Sequence, residues 1–389
     1  MRQAGGRMGD VIQLWLDVAD PWSYLASVRL SPLAARAGVA WVPRPVVLAP
    51  DSPTPPARAA MRRIDLVRTA ARAGIELART QLDPEAARAA TRRLATRSDP
   101  PHRVARVLRA VWGEGLDPLE VVGEIGDGCA DLTAEARAAG VFATPSFTVG
   151  DTTIWGVDRL HRLEQRLGLP VDPAPIGAAA EGATWEWFHD LASPFSYLAS
   201  TQIPRLEAGL GIAPTVTPIL LGALFRGIGT PMVPLQSFSA ARRAWVGEDL
   251  EAWARWWGVP LRFPGAFPLR TVVPLRILLL APQACPALYR AAWVEDRDIG
   301  DPRILAEVLD EVGLDGAGLL ERAADRRVKE QLRINTQRAQ ELGICGVPSF
   351  RIGEDALVWG QDRLDHVVWL MGGWRGGARR VKLQGVEAS

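Results

Sequence analysis

Hydrophobic and polar positions follow the same order twice along the chain. A short apolar run, VIQLWLDV in the first half and TWEWFHDL in the second, is typical of a β-strand. Each run leads into the start of a helix, and a second apolar run follows, AWVPRPVVL or APTVTPILL. Both halves are therefore predicted to open with a β-α-β unit.

A long stretch with Ala, Arg, Leu and Glu at helical spacing follows each opening unit, roughly over residues 56–140 and 236–343. Two short apolar runs then predict a hairpin, PSFTVG with TTIW and PSFRIG with ALVW, before a closing helix. The order β-α-β, helical insertion, β-β-α predicts an α/β protein. It would consist of two tandem thioredoxin-like domains, each with an inserted α-helical subdomain.

Two pairs of motifs indicate an internal repeat. DVADPWSYLAS from Asp17 and DLASPFSYLAS from Asp190 are identical at eight of eleven positions. TPSFTVGDTTIWGVDRL from Thr144 likewise resembles VPSFRIGEDALVWGQDRL from Val347. The first pair lies 173 positions apart and the second 203, so the second copy holds about thirty extra residues between its motifs.

The segment between the copies, LGLPVDPAPIGAAAEGAT, is rich in Pro, Gly and Ala and lacks apolar periodicity, as a linker does. We expect one domain over residues 10–170, a linker over 171–183 and a second domain over 184–375. Residues 376–389 are polar and predict a loose tail.

Charge and cysteine content exclude several classes of protein. The 389 residues carry 45 basic and 44 acidic side chains, so no overall field favours nucleic acid or an anionic membrane. No apolar segment is long enough for a signal core or a membrane span, which predicts a cytoplasmic location. The isolated Cys129, Cys285 and Cys345 form no Cys-x-x-Cys, and with four scattered histidines they predict neither disulfide nor metal site.

The repeated opening motif differs at Asp20 and Ser193, each directly before a proline. One interpretation is an ordinary helix start, with a capping residue and proline at the first helical position. The other notes that this cap follows the first strand, where free N–H groups of the helix favour an anion such as a thiolate. The pattern alone leaves both interpretations open.

The prolines of TPSF and VPSF, Pro145 and Pro348, open a strand after a long helix. Each is either a plain turn proline or, if the preceding bond is cis, a point where the backbone can pair with an extended peptide. The second case would suit a peptide-like cofactor such as glutathione.

The second copy resembles the family of 2-hydroxychromene-2-carboxylate isomerases and kappa-class glutathione transferases. The motifs that carry this resemblance are HDLASPFSYLAS, PILLGALFRGIGTP, FPLRTVVPLR, GICGVPSF and WGQDRL. The resemblance covers residues 184–374, whereas residues 10–168 match only at the opening and closing motifs. It implies a thioredoxin fold of the disulfide-oxidoreductase type with a helical insertion, and glutathione as cofactor.

The resemblance assigns the site residues. Ser193 would contact the glutathione sulfur and help to hold it as thiolate, which agrees with the donor capacity of a hydroxyl. Val347, before Pro348, would pair with the cysteinyl backbone, and Gln361 and Asp362 would hold the γ-glutamyl end, with Asp362 facing its ammonium. Apart from the family, Asp362 is an ordinary first-turn acid and Gln361 a surface residue.

The substrate region departs from the family. Arg226 stands where the family usually has lysine, and Thr230 where it often has asparagine, so both are expected near the substrate. Arg226 would either bind a substrate carboxylate or be an ordinary solvated arginine. Arg270 is expected to be solvated and Cys345 to be a packed thiol. The indoles of EAWARWWGVP line either the core of the insertion, which is favoured, or an aromatic cleft.

The first copy lacks most of these site residues. APDSPTPP replaces GALFRGIGTP, Val157 replaces Gln361, and Asp20 is expected to be an ionised carboxylate that repels a thiolate. We expect this copy to retain the fold without glutathione chemistry. It would pack against the second copy as a pseudo-dimer, as a partner subunit does in a homodimer.

These expectations combine into a glutathione-dependent cis–trans isomerase of a small aromatic or unsaturated keto acid, with its chemistry in the C-terminal copy. A glutathione transferase or peroxidase and a non-catalytic scaffold remain alternatives, while the missing Cys-x-x-Cys disfavours a dithiol oxidoreductase.

Overall fold

The structure is a computed structural model that describes residues 11–50, 54–95, 99–123 and 132–375. The predicted tail and Cys129 lie outside the described residues. Among the helices of the described ranges, none is long and apolar enough to cross a membrane. The same ranges hold no cluster of His, Cys, Asp and Glu side chains that could bind a metal ion.

The described residues of the first copy form four strands and seven α-helices. The strands are β1 (Val11–Leu16), β2 (Ala40–Pro45), β3 (Ser146–Val149) and β4 (Thr152–Trp155). The helices are α1 (Pro21–Ala37), α2 (Pro56–Arg72), α3 (Pro84–Ala95), α4 (Pro101–Trp112), α5 (Pro118–Val122), α6 (Thr133–Ala138) and α7 (Leu160–Arg166). A 3₁₀ turn (Val157–Arg159) precedes α7.

The second copy repeats this order with a longer insertion. Its strands are β5 (Trp185–His189), β6 (Thr215–Pro218), β7 (Ser349–Ile352) and β8 (Ala356–Trp359). Its helices are α8 (Pro194–Ser200), α9 (Ile203–Leu210), α10 (Leu221–Gly227), α11 (Ala240–Trp257), α12 (Val272–Leu280), α13 (Cys285–Trp293), α14 (Pro302–Asp310), α15 (Gly316–Ala323), α16 (Arg326–Glu341) and α17 (Leu364–Met371). Three 3₁₀ turns complete it (Pro234–Ser237, Pro282–Ala284 and Gln361–Arg363).

Each copy has its own four-stranded mixed sheet, in the order β2-β1-β3-β4 and β6-β5-β7-β8. The first two strands of each copy pair in parallel, and the closing hairpin pairs antiparallel to the first strand. Parallel neighbours need a crossover, which α1 supplies in one copy and α8 with α9 in the other. The predicted β-α-β openings, helical insertions and closing hairpins are confirmed, and with them the α/β fold class of two thioredoxin-like domains.

The helical insertion is fastened to its sheet by the same contact in both copies. The indole Nε1 of Trp112 donates to the carbonyl oxygen of Val18 at 3.0 Å, and Trp293 donates to Leu191 at 2.8 Å. Both indoles are fully buried in the hydrophobic core of their own copy. The insertion therefore closes directly over the loop that leads to the first helix, where Asp20 and Ser193 lie.

Candidate active site

Ser193 lies between the start of α8 and the loop before β7. Its hydroxyl accepts a hydrogen bond from the backbone N–H of Ser196 at 3.2 Å, so the residue caps the helix as predicted. The hydroxyl also donates to the carbonyl oxygen of Val347 at 3.2 Å, across the cleft of the fold. The bond from Val347 to Pro348 is cis, and Ser193 is 3% exposed.

An aspartate three residues earlier fixes the loop that carries Ser193. Asp190 accepts hydrogen bonds from the N–H of Ala192 at 2.9 Å, the N–H of Leu221 at 2.8 Å and the hydroxyl of Thr271 at 2.8 Å. Burial nevertheless raises the pKa of Asp190. The residue thereby ties the start of α8, the strand-to-helix turn at α10 and the insertion together.

Asp17 ties the equivalent loop of the first copy to its insertion, since it accepts from the N–H of Ala19 at 2.8 Å and the hydroxyl of Thr91 at 2.7 Å. Neither aspartate was among the predicted site residues. Their identity in both copies of the opening motif was the signal that could have indicated this role.

Gln361 lies beside the loop before β7 that contains Val347 and Pro348. The N–H of Gly360 donates to the carbonyl oxygen of Pro348 at 3.0 Å, which holds the 3₁₀ turn Gln361–Arg363 against it. Gln361 is 3% exposed rather than a surface residue, and its amide Nε2 has no hydrogen-bond partner among the described residues. Ser193, Val347, Pro348 and Gln361 are thus brought together, with one buried donor left unpaired.

Asp362 is bound differently from the expectation. Its Oδ2 lies 2.5 Å from Nη1 of Arg159, which belongs to the first copy, and 3.3 Å from Nη1 of Arg363. The carboxylate predicted to face a ligand ammonium is therefore already paired with two guanidinium groups. The sequence pattern did not indicate the partner from the other copy.

This contact between the copies is reciprocal. Asp158 and Arg159 end the 3₁₀ turn before the closing helix of the first copy, as Asp362 and Arg363 do in the second. Nη1 of Arg363 lies 2.7 Å from Oδ2 of Asp158, so each arginine reaches the aspartate of the opposite copy. Such an exchange of equivalent residues is the pattern of an isologous interface.

The insertion helices extend the exchange. Asp65 on α2 and Asp249 on α11 stand in matching IDL and EDL sequences. Arg159 binds Asp249 through Nε at 3.2 Å and Nη2 at 2.9 Å, and Nε of Arg363 lies 3.5 Å from Asp65. Both aspartates are buried, so the two ion-pair clusters are enclosed between the copies.

A cation–π contact is exchanged as well. The guanidinium of Arg58 lies 5.3 Å from the ring centre of Trp359, and that of Arg242 lies 5.8 Å from the ring centre of Trp155. The two tryptophans end the closing hairpins β4 and β8. Each insertion therefore rests on the hairpin of the other copy.

Burial and charge act against one another in this interface. Burial favours the neutral form of Asp158, but Arg159 and Arg363 outweigh it, and the pKa of Asp158 is lowered. The neighbouring aspartates likewise outweigh the burial of Arg363 and raise its pKa. At Asp65 the nearby arginines do not outweigh the effect of burial, which raises the pKa of this carboxyl to about 7.

Asp20 in the first copy departs from its expected charge. Its carboxylate accepts from the N–H of Trp22 at 3.2 Å and from the hydroxyl of Thr144 at 3.2 Å, the residue before Pro145. The bond from Thr144 to Pro145 is also cis. Burial raises the pKa of Asp20 to about 7, so the expectation of a fully ionised carboxylate at neutral pH is wrong.

Arg226 lies on α10, and Thr230 follows that helix. Arg226 is exposed, and its Nη2 lies 4.0 Å from the sulfur of Met232. Thr230 is 7% exposed, and its hydroxyl has no partner among the described residues. No described hydrogen bond joins either of them to Ser193. Arg270 is exposed and pairs with Asp298 at 3.3 Å, as a solvated arginine would.

The tryptophan-rich helix α11 fits both of its interpretations. Trp245 and Trp253 are buried. Trp253, Trp256 and Trp257 also line a cleft of about 290 Å³ between the copies, together with Gln361 and Asp362. The cleft does not extend to Ser193.

The two described cysteines are buried and free. Burial raises the pKa of both Cys285 and Cys345 to about 12, so each remains a neutral thiol. This agrees with the expectation that Cys345 is a packed residue.

The chain belongs to the DSBA-like thioredoxin domain family, whose pattern matches residues 11–121 and 185–371. The match falls once in each copy and confirms the tandem arrangement. The fold and the exchanged contacts thus define a duplicated member of this family.

Among its relatives, the 2-hydroxychromene-2-carboxylate isomerase of Sphingobium xenophagum is 29% identical over 192 residues, which are 47% of this chain and 94% of that protein. Glutathione S-transferase kappa 1 of Homo sapiens is 24% identical over 208 residues, 49% of this chain and 91% of that protein. A solved 2-hydroxychromene-2-carboxylate isomerase structure covers 49% of this chain and 95% of its own, at 23% identity and a TM-score of 0.45. Each relative is therefore matched nearly whole by about half of this chain.

Proposed function

We propose that the protein is a glutathione-dependent cis–trans isomerase of an aromatic or unsaturated keto acid, with its chemistry in the C-terminal copy. The observation that carries the proposal is the pairing of the Ser193 hydroxyl with the carbonyl oxygen of Val347, beside the unpaired amide of Gln361. The matched isomerase and kappa transferase relatives support the same class of chemistry.

The residues present fit glutathione at two points. A buried amide N–H without a partner is costly, and a ligand carboxylate beside Gln361 would satisfy it. The hydroxyl of Ser193 is a donor suited to a sulfur anion. In this proposal the Val347 and Pro348 backbone lies along the cysteinyl part, and Asp362, held by Arg159 and Arg363, borders the γ-glutamyl end.

To donate a hydrogen bond to the glutathione sulfur, the hydroxyl of Ser193 must first break its hydrogen bond to the carbonyl oxygen of Val347. Their O–H···O distance of 3.2 Å exceeds the usual 2.5–3.0 Å, so the hydroxyl gives up a weak bond when it turns. When bound, glutathione supplies a sulfur nucleophile for reversible addition to a conjugated double bond, about which rotation then becomes possible. Ser193 would favour the charged form of that nucleophile, while Arg226 and Thr230 would contact the substrate.

We further propose that the first copy serves as the fixed partner of a pseudo-dimer and carries out no glutathione chemistry. The exchanged pairs of Arg159 with Asp362 and Arg363 with Asp158 support this arrangement. Its Asp20 offers a carboxyl group where the second copy has the Ser193 hydroxyl. The buried free thiols are compatible with a reducing cytoplasm, where glutathione is available.

Titration of the whole chain with reduced glutathione tests the proposal, and one site per chain is expected. Turnover of 2-hydroxychromene-2-carboxylate should then require glutathione and exceed conjugation of a chlorodinitrobenzene electrophile. The reverse ranking would favour the transferase, which the kappa relative also supports. A chain that binds no glutathione would contradict both enzymes and leave a scaffold.

A further inference from the structure

A second cleft in the C-terminal copy lies apart from Ser193. It has a volume of about 490 Å³ and opens between the sheet, the end of α8 and the insertion helix α13. Ser200, which ends α8, and Thr201, which follows it, line the cleft at the end of the helix opposite Ser193, and a seven-residue helix spans about 10 Å. The lining includes neither Ser193 nor Val347 nor Gln361, so this is a separate site.

The floor of the cleft is aromatic and apolar. It is formed by the buried side chains of Trp187, Tyr197, Ile203, Cys285 and Tyr289. The exposed rim contains four prolines, whose fixed backbone angles make the opening rigid. A volume within the usual range of ligand sites and an apolar lining are properties of a preformed small-molecule site.

One polar group of the floor is left without a partner. The hydroxyl of Tyr197 donates to the carbonyl of Pro260, and that of Tyr289 donates to the carbonyl of Asp190 at 3.2 Å. Trp187 is 3% exposed, yet its indole N–H has no partner among the described residues. Because a buried indole N–H usually finds an acceptor, this donor is available to an acceptor atom on a ligand.

The first copy shows that the fold itself does not need this indole. Leu14 pairs with Phe147 in the register in which Trp187 pairs with Phe350, so Leu14 and Trp187 are equivalent. Leu14 is fully buried and leaves no polar atom to satisfy. Trp187 stacks on the ring of His189, with ring centres 4.3 Å apart, and carries an unpaired donor that Leu14 lacks.

We propose that this cleft binds a small, planar, uncharged aromatic molecule with one hydrogen-bond acceptor, such as an aryl ketone, and that the acceptor pairs with Nε1 of Trp187. Aromatic floor residues favour a ring by stacking. A charged group would lose its water without a counter-ion, because Glu207 and Arg290 stand at the mouth and not on the floor. The site is independent of the glutathione chemistry proposed for Ser193.

A matched pair of probes tests this inference: 2-acetylnaphthalene, which has a carbonyl acceptor, and 2-ethylnaphthalene, which lacks it. Calorimetric titration of the whole chain should show one site, with the ketone bound about tenfold more tightly, as one hydrogen bond predicts. Trp187→Phe keeps an aromatic side chain and removes the donor. It should abolish the difference between the probes and leave the binding of 2-ethylnaphthalene unchanged.

Val216→Trp supplies a second test, since Val216 is 36% exposed at the mouth and its replacement does not touch the core. The larger side chain should block the cleft and weaken both probes at least tenfold, whereas Ser193→Ala should alter neither. The proposal is overturned if the unaltered chain binds neither probe. It is equally overturned if Val216→Trp or a folded Trp187→Phe variant binds both probes as the parent does. Loss of glutathione binding alone would leave these results unchanged, which separates this site from the proposed activity.

Discussion

Arg159 and Asp362 come from different copies of the repeat, and their charged atoms lie 2.5 Å apart in a buried interface. Arg363 and Asp158 make the equivalent pair at 2.7 Å. Each arginine also binds an aspartate on an insertion helix, Asp249 or Asp65. These residues join the sheet domain of one copy to the insertion of the other, so the interface couples four structural units.

Removing one of these arginines should destabilise the whole chain. Arg159→Met leaves the carboxylates of Asp158, Asp249 and Asp362 short of a counter-charge in a buried place, and loss of one member of such a pair costs about 3–5 kcal/mol. Chemical unfolding followed by circular dichroism measures this loss. Arg255→Met, which removes an exposed pair with Glu251, is the control and should leave the unfolding midpoint in place. Equal midpoints for the two variants would contradict a stabilising interface.

On the proposed mechanism, Ser193→Ala should lower kcat for the proposed isomerisation at least roughly tenfold, because the glutathione sulfur would lose a hydrogen bond. The lost helix cap should also reduce the free energy of unfolding by about 1 kcal/mol. Steady-state rates at saturating glutathione measure the first effect. Ser200→Ala, at the other end of α8, is the matched control because its hydroxyl bonds only the nearby carbonyl of Tyr197 at 2.6 Å. A fully active Ser193→Ala variant would remove the residue from the mechanism.

Gln361→Leu separates a ligand role from a packing role. If the unpaired amide awaits glutathione, its removal should weaken glutathione binding about tenfold, as the loss of one hydrogen bond to a charged group predicts. The same change removes a buried polar group without a partner, so the free energy of unfolding should stay equal or rise. Calorimetry and thermal unfolding report the two effects, with Gln337→Leu, at an exposed position of α16, as control. Lower stability with unchanged affinity would indicate a packing role.

Asp20→Asn should change the pH dependence of stability. The folded-state pKa of about 7 lies above the ordinary 3.8, so the folded chain holds this proton more tightly than the unfolded chain. Its contribution to stability is therefore present below about pH 4 and is lost as pH rises towards 7. Asn does not titrate, so the variant lacks this loss. Between about pH 4 and pH 7 its free energy of unfolding should rise relative to that of the parent by up to about 1.4 kcal/mol per pH unit.

Unfolding midpoints of parent and variant between pH 4 and 8 measure this difference, with the exposed Asp151→Asn as control. A parallel pH profile for Asp20→Asn and parent would contradict the raised pKa. Isomerase activity should stay nearly unchanged in Asp20→Asn, since the first copy is proposed to carry out no glutathione chemistry. A large loss of activity would overturn that assignment.

The sequence predicted the fold well because its signals are local. Strand patterns, the Pro-led helix starts and the repeated motifs fix the order of elements, and the capping role of Ser193 follows from its place before Pro194. The family resemblance assigned Ser193 and Val347 to one glutathione site but did not predict the direct contact between them. That contact joins residues 154 positions apart, which no local pattern encodes.

Packing of the two copies against each other was expected, but the residues that form the interface were not predicted, for the same reason. Asp362 was expected to face a ligand, whereas its partner Arg159 lies 203 positions away in the other copy. The predicted full negative charge of Asp20 was also wrong. Desolvation raises its pKa, and desolvation depends on the packing around a side chain rather than on its neighbours in sequence. The repeated Asp-Arg-Leu was the available clue, because charged residues kept at equivalent places of two copies can meet across an axis.

Joining the two copies in one chain frees their shared interface from symmetry. In a homodimer every substitution near the axis enters twice, but here His161 and the equivalent Asp365 differ while both line the cleft between the copies. Burial lowers the pKa of His161 to about 4 and raises that of Asp365 to about 6, so the two walls respond to pH in different ranges. The linker also makes the pairing independent of protein concentration. A substitution can therefore alter the residues on one side of the cleft without altering those on the other side, and the two sides stay paired even in dilute solution.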